Sequence, residues 1–258
     1  MAPRAAGHPA GMATIAERFG SALEQVADPR LAGPELLPVR LMRACAATLP
    51  VDGAGLSVED GAGRRLPLGA SSDDAATAER LQFTAGTGPC LAAHHGGEPV
   101  FAMADDLRRR WLPFAELLMT RTPYRGIVAL PLAHSLAGKI AIDLYFTDEA
   151  AVARLPVFEA MAVGALVTSA LSDSVIWSDW EPAHGPRWLR TPAARRRSLV
   201  WEALGQLSVT HGTDTRGALD LLRAAAYAAG RPVDDVAADL LSGALRSATL
   251  ERPDAADG

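Results

Sequence analysis

Cysteine is nearly absent: Cys45 and Cys90 are the only 2 thiols in 258 residues. That is too few for a disulfide framework and fits a reducing, cytoplasmic compartment. Long apolar runs are missing too. The closest, MAVGALVTSAL, stops at Ser172 and Asp173, short of the ~18 residues a membrane span takes. The start, MAPRAAGHPAGMATIAERFG, has neither a contiguous apolar core nor a clean cleavage pattern, so no secretory signal is expected, and Met12 is an alternative start. Lysine occurs once, at Lys139, against 24 arginines; with the abundant alanine this points to a GC-rich bacterial genome more than to chemistry.

The net charge of −5 hides an asymmetry. Residues 187–246 hold nine arginines against six acids, a balance of +3, while the rest of the chain stands at −8. A mildly basic C-terminal part on an acidic body is a weak pointer to nucleic acid.

Periodicity divides the chain. Residues 1–12 carry none and are expected to be disordered. Ile15, Phe19, Leu23 and Val26 follow helical spacing over 13–26, and 36–49 forms a second helix that takes Cys45 into the core. Alternation in GAGLSVED and RRLPLGAS around the turn DGAG predicts a hairpin. A short helix over 71–80, capped by Ser72 or Asp73, comes next. The turn GTGPC then opens a helix at Cys90, and the strand PVFAM follows. Residues 105–122 are helical with a break near Trp111, imposed by Pro113. GIVALPLAH and GKIAIDLYF are strands joined by a turn at 135–138. In the second, Ile140, Ile142, Leu144 and Phe146 face one way, and Ala141, Asp143 and Tyr145 the other. Asp148 is expected to cap one long helix running through EAAVARLPVFEAMAVGALVTSALSDSVIW, to Trp177. Together these make an α+β domain with an antiparallel sheet flanked by helices, over 13–173.

Residues 174–194 read as a linker, rich in Trp, Pro, His, Gly and Arg. The aromatics Trp177, Trp180 and Trp188 suit docking of one helix or chain on another. Beyond it lie three helices: 192–211 stopped by Gly212, 214–229 stopped by Gly230, and one starting at Pro232. This all-α bundle spans 195–247, with a disordered tail over 248–258. So small a core leans on a partner.

The run VWEALGQLSVTHG and the later ALDLLRAAAYAAGRPVDDVAADLL resemble the ANTAR domain, an RNA-binding module of bacterial transcription antiterminators. The resemblance covers 198–241 and is most specific at Ala203, Gly205, 218–227 and Arg231-Pro232. Residues 13–173 resemble a GAF domain through GTGPCLAA, GEPVFAMADDL and GKIAIDLYF. The resemblance implies a cytoplasmic GAF–ANTAR regulator, not an enzyme. Its bundle would bind structured hairpin RNA and promote antitermination, and its GAF part would sense an unknown small-molecule ligand or serve as a homodimer platform. Many ANTAR domains read QAKGILM where this chain has Glu202, Leu204 and their neighbours; losing a cation and gaining an acid weakens phosphate attraction. The alternative is a ligand-binding GAF dimer whose bundle makes protein contacts only.

Within the bundle, Arg196, Arg223 and Arg231 are candidate phosphate contacts and Tyr227 a candidate stacking platform. Arg223 and Tyr227 stand at i, i+4, as suits a flipped base and its phosphate, or else an Arg packed on a half-buried Tyr. The triplet Arg195, Arg196 and Arg197 starts a helix, where cations sit badly against the dipole and an anion or acidic chain is a fair neighbour. Cys90 with His94 and His95 is the one cluster of reactive residues. A first-turn thiol meets the positive end of a helix dipole, which favours thiolate. Yet there is no metal-ligand spacing, even counting His134, and no Asn or Asp placed to orient a base. Methionine sulfoxide reduction, known for some GAF domains, needs a resolving thiol, and Cys45 belongs to a different element. No metal, cofactor or catalytic residue is therefore expected, and Cys90 is expected to be structural.

Overall fold

A computed structural model of the chain describes residues 13–59, 64–132, 139–176 and 185–250. Its centre is a five-stranded antiparallel sheet in the order β2-β1-β5-β4-β3. The strands are β1 (Gly53–Glu59), β2 (Arg65–Ala70), β3 (Val100–Ala102), β4 (Gly126–Pro131) and β5 (Lys139–Phe146). Alternation in β5 sorts its side chains as the sequence requires: Ile140, Ile142, Leu144 and Phe146 join one core and Tyr145 another. The fold class is therefore α+β, with further helices at the C-terminal end.

One sheet face is covered by α1 (Ile15–Gln25), α2 (Leu37–Thr48) and α7 (Val157–Ile176), whose Phe19, Leu41, Cys45, Val163 and Val167 interleave with Leu56, Val58 and Leu144. Thr14 and Glu17 form a capping box that starts α1. An exposed Arg18–Glu159 pair links α1 to α7, so the two ends of this unit lie side by side. By length and composition α7 is long and apolar enough to cross a membrane over Val157–Val175, although no uninterrupted apolar run is. Here its stripe of Ala160, Val163, Val167, Leu171 and Val175 is buried in the core.

The other face lies beneath α3 (Asp73–Ala85), α4 (Pro89–Gly96), α5 (Ala104–Arg110) and α6 (Leu112–Arg121). Three expectations need correction. Helix α3, capped by Ser72, continues past Arg80 to Ala85 and stops only at Gly86, whose φ of +68° suits glycine. Asp148 caps a 3₁₀ turn, Glu149–Arg154, and not the long helix; Pro156 separates the two, and α7 starts at Val157. The linker is also narrower than 174–194, because α7 reaches Ile176 and Arg187–Arg190 form a 3₁₀ turn. Trp188 of that turn is 3% exposed in the core of the first unit. Trp177, Trp180, His134 and the turns at 60–63 and 135–138 lie outside the described residues, as do 1–12 and 251–258.

Helices α8 (Pro192–His211), α9 (Thr215–Ala228) and α10 (Val233–Leu241) follow, and a 3₁₀ turn at Ser247–Thr249 comes last among the described residues. Gly212 and Gly230 stand where the stop signals require, both with φ of +59°. The helices' core of Val200, Ala203, Leu204, Leu207, Leu222 and Val236 takes two residues from outside the three helices: Phe83 of α3, and Leu250, which is buried here although the sequence predicts a disordered tail over 248–258.

Candidate functional site: a buried polar cluster beside a docked bundle

Helix α3 has two faces at work. Toward the sheet it presents Glu79 and Gln82, both fully or nearly fully buried. Glu79 accepts from Tyr145 Oη at 2.7 Å and from Arg65 Nη2 at 3.4 Å. Asp143 Oδ2 stands 3.7 Å from the same guanidinium and accepts from Gln82 Nε2 at 2.8 Å. Gln82 Oε1 in turn accepts from the Cys90 amide at 2.7 Å, which holds the GPC turn against α3. The Cys90 thiol sits 3.4 Å from Ser57 Oγ, which also receives Arg65 Nε at 3.3 Å. There is no slack between sheet and helix: a Cβ at Gly55 would collide with the Glu79 carboxylate.

Burial and the neighbouring Glu79 carboxylate push Asp143 well above the usual carboxylate range, against the opposing pull of Arg65. Burial opposes the charge on Arg65, but the surrounding groups outweigh it and hold Arg65 above its ordinary value. Burial also pushes the Cys90 thiol well up, though Arg65 pulls the other way. The helix position of Cys90 does not make it a thiolate: the dipole favours charge, desolvation disfavours it, and desolvation wins. Cys45 is likewise pushed up to about 12 by burial. Both cysteines are free and buried. Replacing Cys90 by alanine is expected to cost about 1 kcal/mol in urea unfolding and to leave the fold unchanged. Loss of a measurable reaction or of a bound metal on that substitution would contradict the structural role. Among the described residues, no group of three or more His, Cys, Asp or Glu is placed to hold a metal ion.

On its other face α3 meets the bundle. Phe83, 5% exposed, enters the bundle core. The Arg197 guanidinium lies 3.5 Å over its ring, Arg223 stands 4.9 Å away, and Trp201 packs edge-on at 6.2 Å. Arg223 Nε donates to the Phe83 carbonyl at 3.1 Å, and Thr84 Oγ1 accepts from the Val233 amide at 2.9 Å. Arg197 is itself enclosed, in a two-point pair with Asp234 at 2.6 and 3.2 Å, and donates to the Arg65 carbonyl at 3.1 Å. The last contact ties the bundle to the residue at the centre of the polar cluster.

Each residue proposed for RNA contact has an intramolecular partner. Arg196 pairs with Asp235 at 3.0 Å, and Asp235 also meets Arg80 of α3 at 3.4 Å. Arg231 pairs with Asp239 at 2.7 Å. Arg223 lies on Phe83, and burial holds it down at about 10. The Tyr227 hydroxyl donates to Glu116 of α6. The i, i+4 pair Arg223 and Tyr227 therefore faces the α+β unit, Arg196 lies at the same junction, and Arg231 makes its contact within the bundle. Leu204 is 1% exposed among core residues. The Arg197–Asp234 pair escaped sequence reasoning: 37 positions separate its members, and only the mis-set cation in the triplet hinted at a hidden acid. No protein-family model matches the chain, and no curated protein matches it.

Proposed function

We propose that the chain is a two-part regulator: a GAF-like α+β sensor and an ANTAR-like bundle that binds structured RNA and promotes transcription antitermination. One observation supports this reading above the others. The cation–aromatic pair best suited to a phosphate and a splayed base, Arg223 and Tyr227, lies at the joint between the two parts, held by Phe83 and Glu116. RNA and the sensor then compete for the same side chains, which makes binding conditional on the sensor's state.

The test is hairpin-RNA binding across a salt series. Each of Arg196→Ala, Arg223→Ala and Arg231→Ala is expected to weaken binding for all sequences. Each is also expected to flatten the log–log salt slope by about 0.9 for every phosphate no longer neutralised. Tyr227→Ala is expected to cost roughly 1–3 kcal/mol of binding with little change in slope, because stacking releases no counterions. Circular dichroism establishes that each variant is folded. Four folded variants that bind like the parent remove this surface.

A second reading has its own support. Arg196 and Arg231 already pair with Asp235 and Asp239, and Leu204 is apolar and buried, which favours a bundle that makes protein contacts only. A parent that binds no RNA at low salt decides for this second reading. In either case we propose a homodimer through α7, whose Phe158 and Met161 are 89% and 52% exposed. Sedimentation that finds only monomer at micromolar concentration excludes it.

A further inference from the structure

The arginine triplet is only partly explained by the buried Arg197 pair. Its second member, Arg196, lines a cleft of about 490 Å³ between the α+β unit and the start of α8. Three guanidiniums reach this cleft from three separate elements: Arg43 of α2, Arg80 of α3 and Arg196 of α8. Arg80 and Arg196 share one carboxylate, Asp235. Arg43 is exposed and has no ion pair or hydrogen bond to any described residue, although its charge helps hold the Asp28 carboxyl down. Asp73 is the one acidic side chain in the wall, so cations exceed anions there.

The wall also contains Thr191, Pro192 and Ala193, where the 20-residue helix α8 begins. Thr191 caps the Ala194 amide, but the first turn has no acid. By contrast, α3, which starts at the same cleft, carries Asp73 and Asp74 in its first turn. The positive end of α8 is left without a counter-charge of its own and with arginines directly after it, an arrangement that favours a bound anion. The rest of the lining is mostly apolar, with Leu36, Val39, Pro67 and Leu68, and includes Ser71 and Ser72. The volume falls within the range of small-molecule pockets.

We propose that this cleft binds a small organic phosphate. Its phosphate is held by Arg43, Arg80 and Arg196 at the start of α8, and its organic body lies on Leu36, Val39 and Pro67. Planar guanidiniums match phosphate oxygens two at a time, and several converging on one group select a doubly charged anion over a single carboxylate. The walls come from both parts of the chain, so the ligand clamps the bundle in its docked position. This clamping would oppose RNA binding if the function proposed above holds, but the binding site stands without it.

Isothermal titration calorimetry on the full chain tests the site with four probes: pyrophosphate, adenosine 5′-monophosphate, adenosine and acetate. The two phosphates are expected to bind, the nucleotide more tightly than pyrophosphate, and adenosine and acetate at least ten-fold more weakly than either. Arg43→Gln is expected to lower nucleotide affinity at least ten-fold; Arg43 makes no ion pair or hydrogen bond with a described residue, and circular dichroism establishes that the variant is folded. Arg80→Gln, checked by circular dichroism, is expected to do the same, and Arg154→Gln on the remote 3₁₀ turn to bind like the parent. Neither phosphate binding at 10 mM, adenosine binding as well as its phosphate, or Arg43→Gln binding like the parent would each overturn the proposal. No RNA enters this experiment, so failure of the RNA-binding reading leaves its outcome intact.

Discussion

Arg197→Leu is expected to lower the free energy of unfolding by about 3–5 kcal/mol, because it leaves the Asp234 carboxylate buried without a partner. Both side chains are 1% exposed. The substitution also removes the cation over Phe83 and the hydrogen bond to the Arg65 carbonyl. Adding Asp234→Leu is expected to recover most of the loss, because the two charges are then removed together and the site refills with apolar atoms. Burial already pulls Arg197 below its ordinary value despite the opposing pull of Asp234, a sign that desolvation takes back much of what the attraction contributes. Urea unfolding of the two single variants and the double gives the coupling. A single variant within 1 kcal/mol of the parent would show that the pair does not hold the bundle in place.

The second large effect depends on pH. His94, 3% exposed, has no hydrogen-bond partner at either ring nitrogen among the described residues. Burial holds it neutral, with its pKa lowered to about 3, and Arg65, His95 and Lys139 add to the lowering. In the unfolded chain an ordinary imidazole titrates near 6.5. The native state thus binds the proton less readily, so the contribution of His94 is fully present above about pH 7 and is lost as pH falls from there toward the folded value. Between pH 8 and pH 4.5 the parent is expected to lose about 2–3 kcal/mol relative to His94→Leu. Leucine suits the comparison because no described group loses a hydrogen-bond partner. Asp143 acts in the opposite sense, since its raised pKa favours the native state in acid, and the comparison between parent and variant cancels it. Parallel stability–pH curves for the two proteins would rule out a buried neutral imidazole.

Much of the architecture was legible from local pattern. Two-residue alternation placed β5 and assigned its faces, and Gly212 and Gly230 marked helix ends because few other residues take a positive φ cheaply. The far end of α3 is hidden from sequence pattern because Leu81, Phe83 and Ala85 alternate as a strand would. They meet two different neighbours: Leu81 and Ala85 pack in the core under the sheet and Phe83 joins the bundle. Covering on two sides removes the polar stripe by which a surface helix is recognised. The site was less legible for the same reason. The dipole rule for Cys90 is local, whereas its environment is set by Arg65, Asp143 and Ser57, drawn from across the sheet. The bundle's arginines could be found in the sequence, but the acids that engage them could not be assigned.

Phe83 has a consequence for what counts as a part of this molecule. The bundle's interior is not closed by its own helices; one aromatic ring, donated from more than a hundred positions upstream, is part of its core. Composition draws a border near residue 185, but the border of cooperativity lies elsewhere, because the bundle cannot let go of α3 without opening a ring-sized vacancy between Arg197, Arg223 and Trp201. The bundle therefore behaves as a socket and Phe83 as its resident plug. Any event that frees the bundle must either supply another aromatic group for that socket or leave it to collapse, so release is an exchange of occupants and not a hinge swinging open.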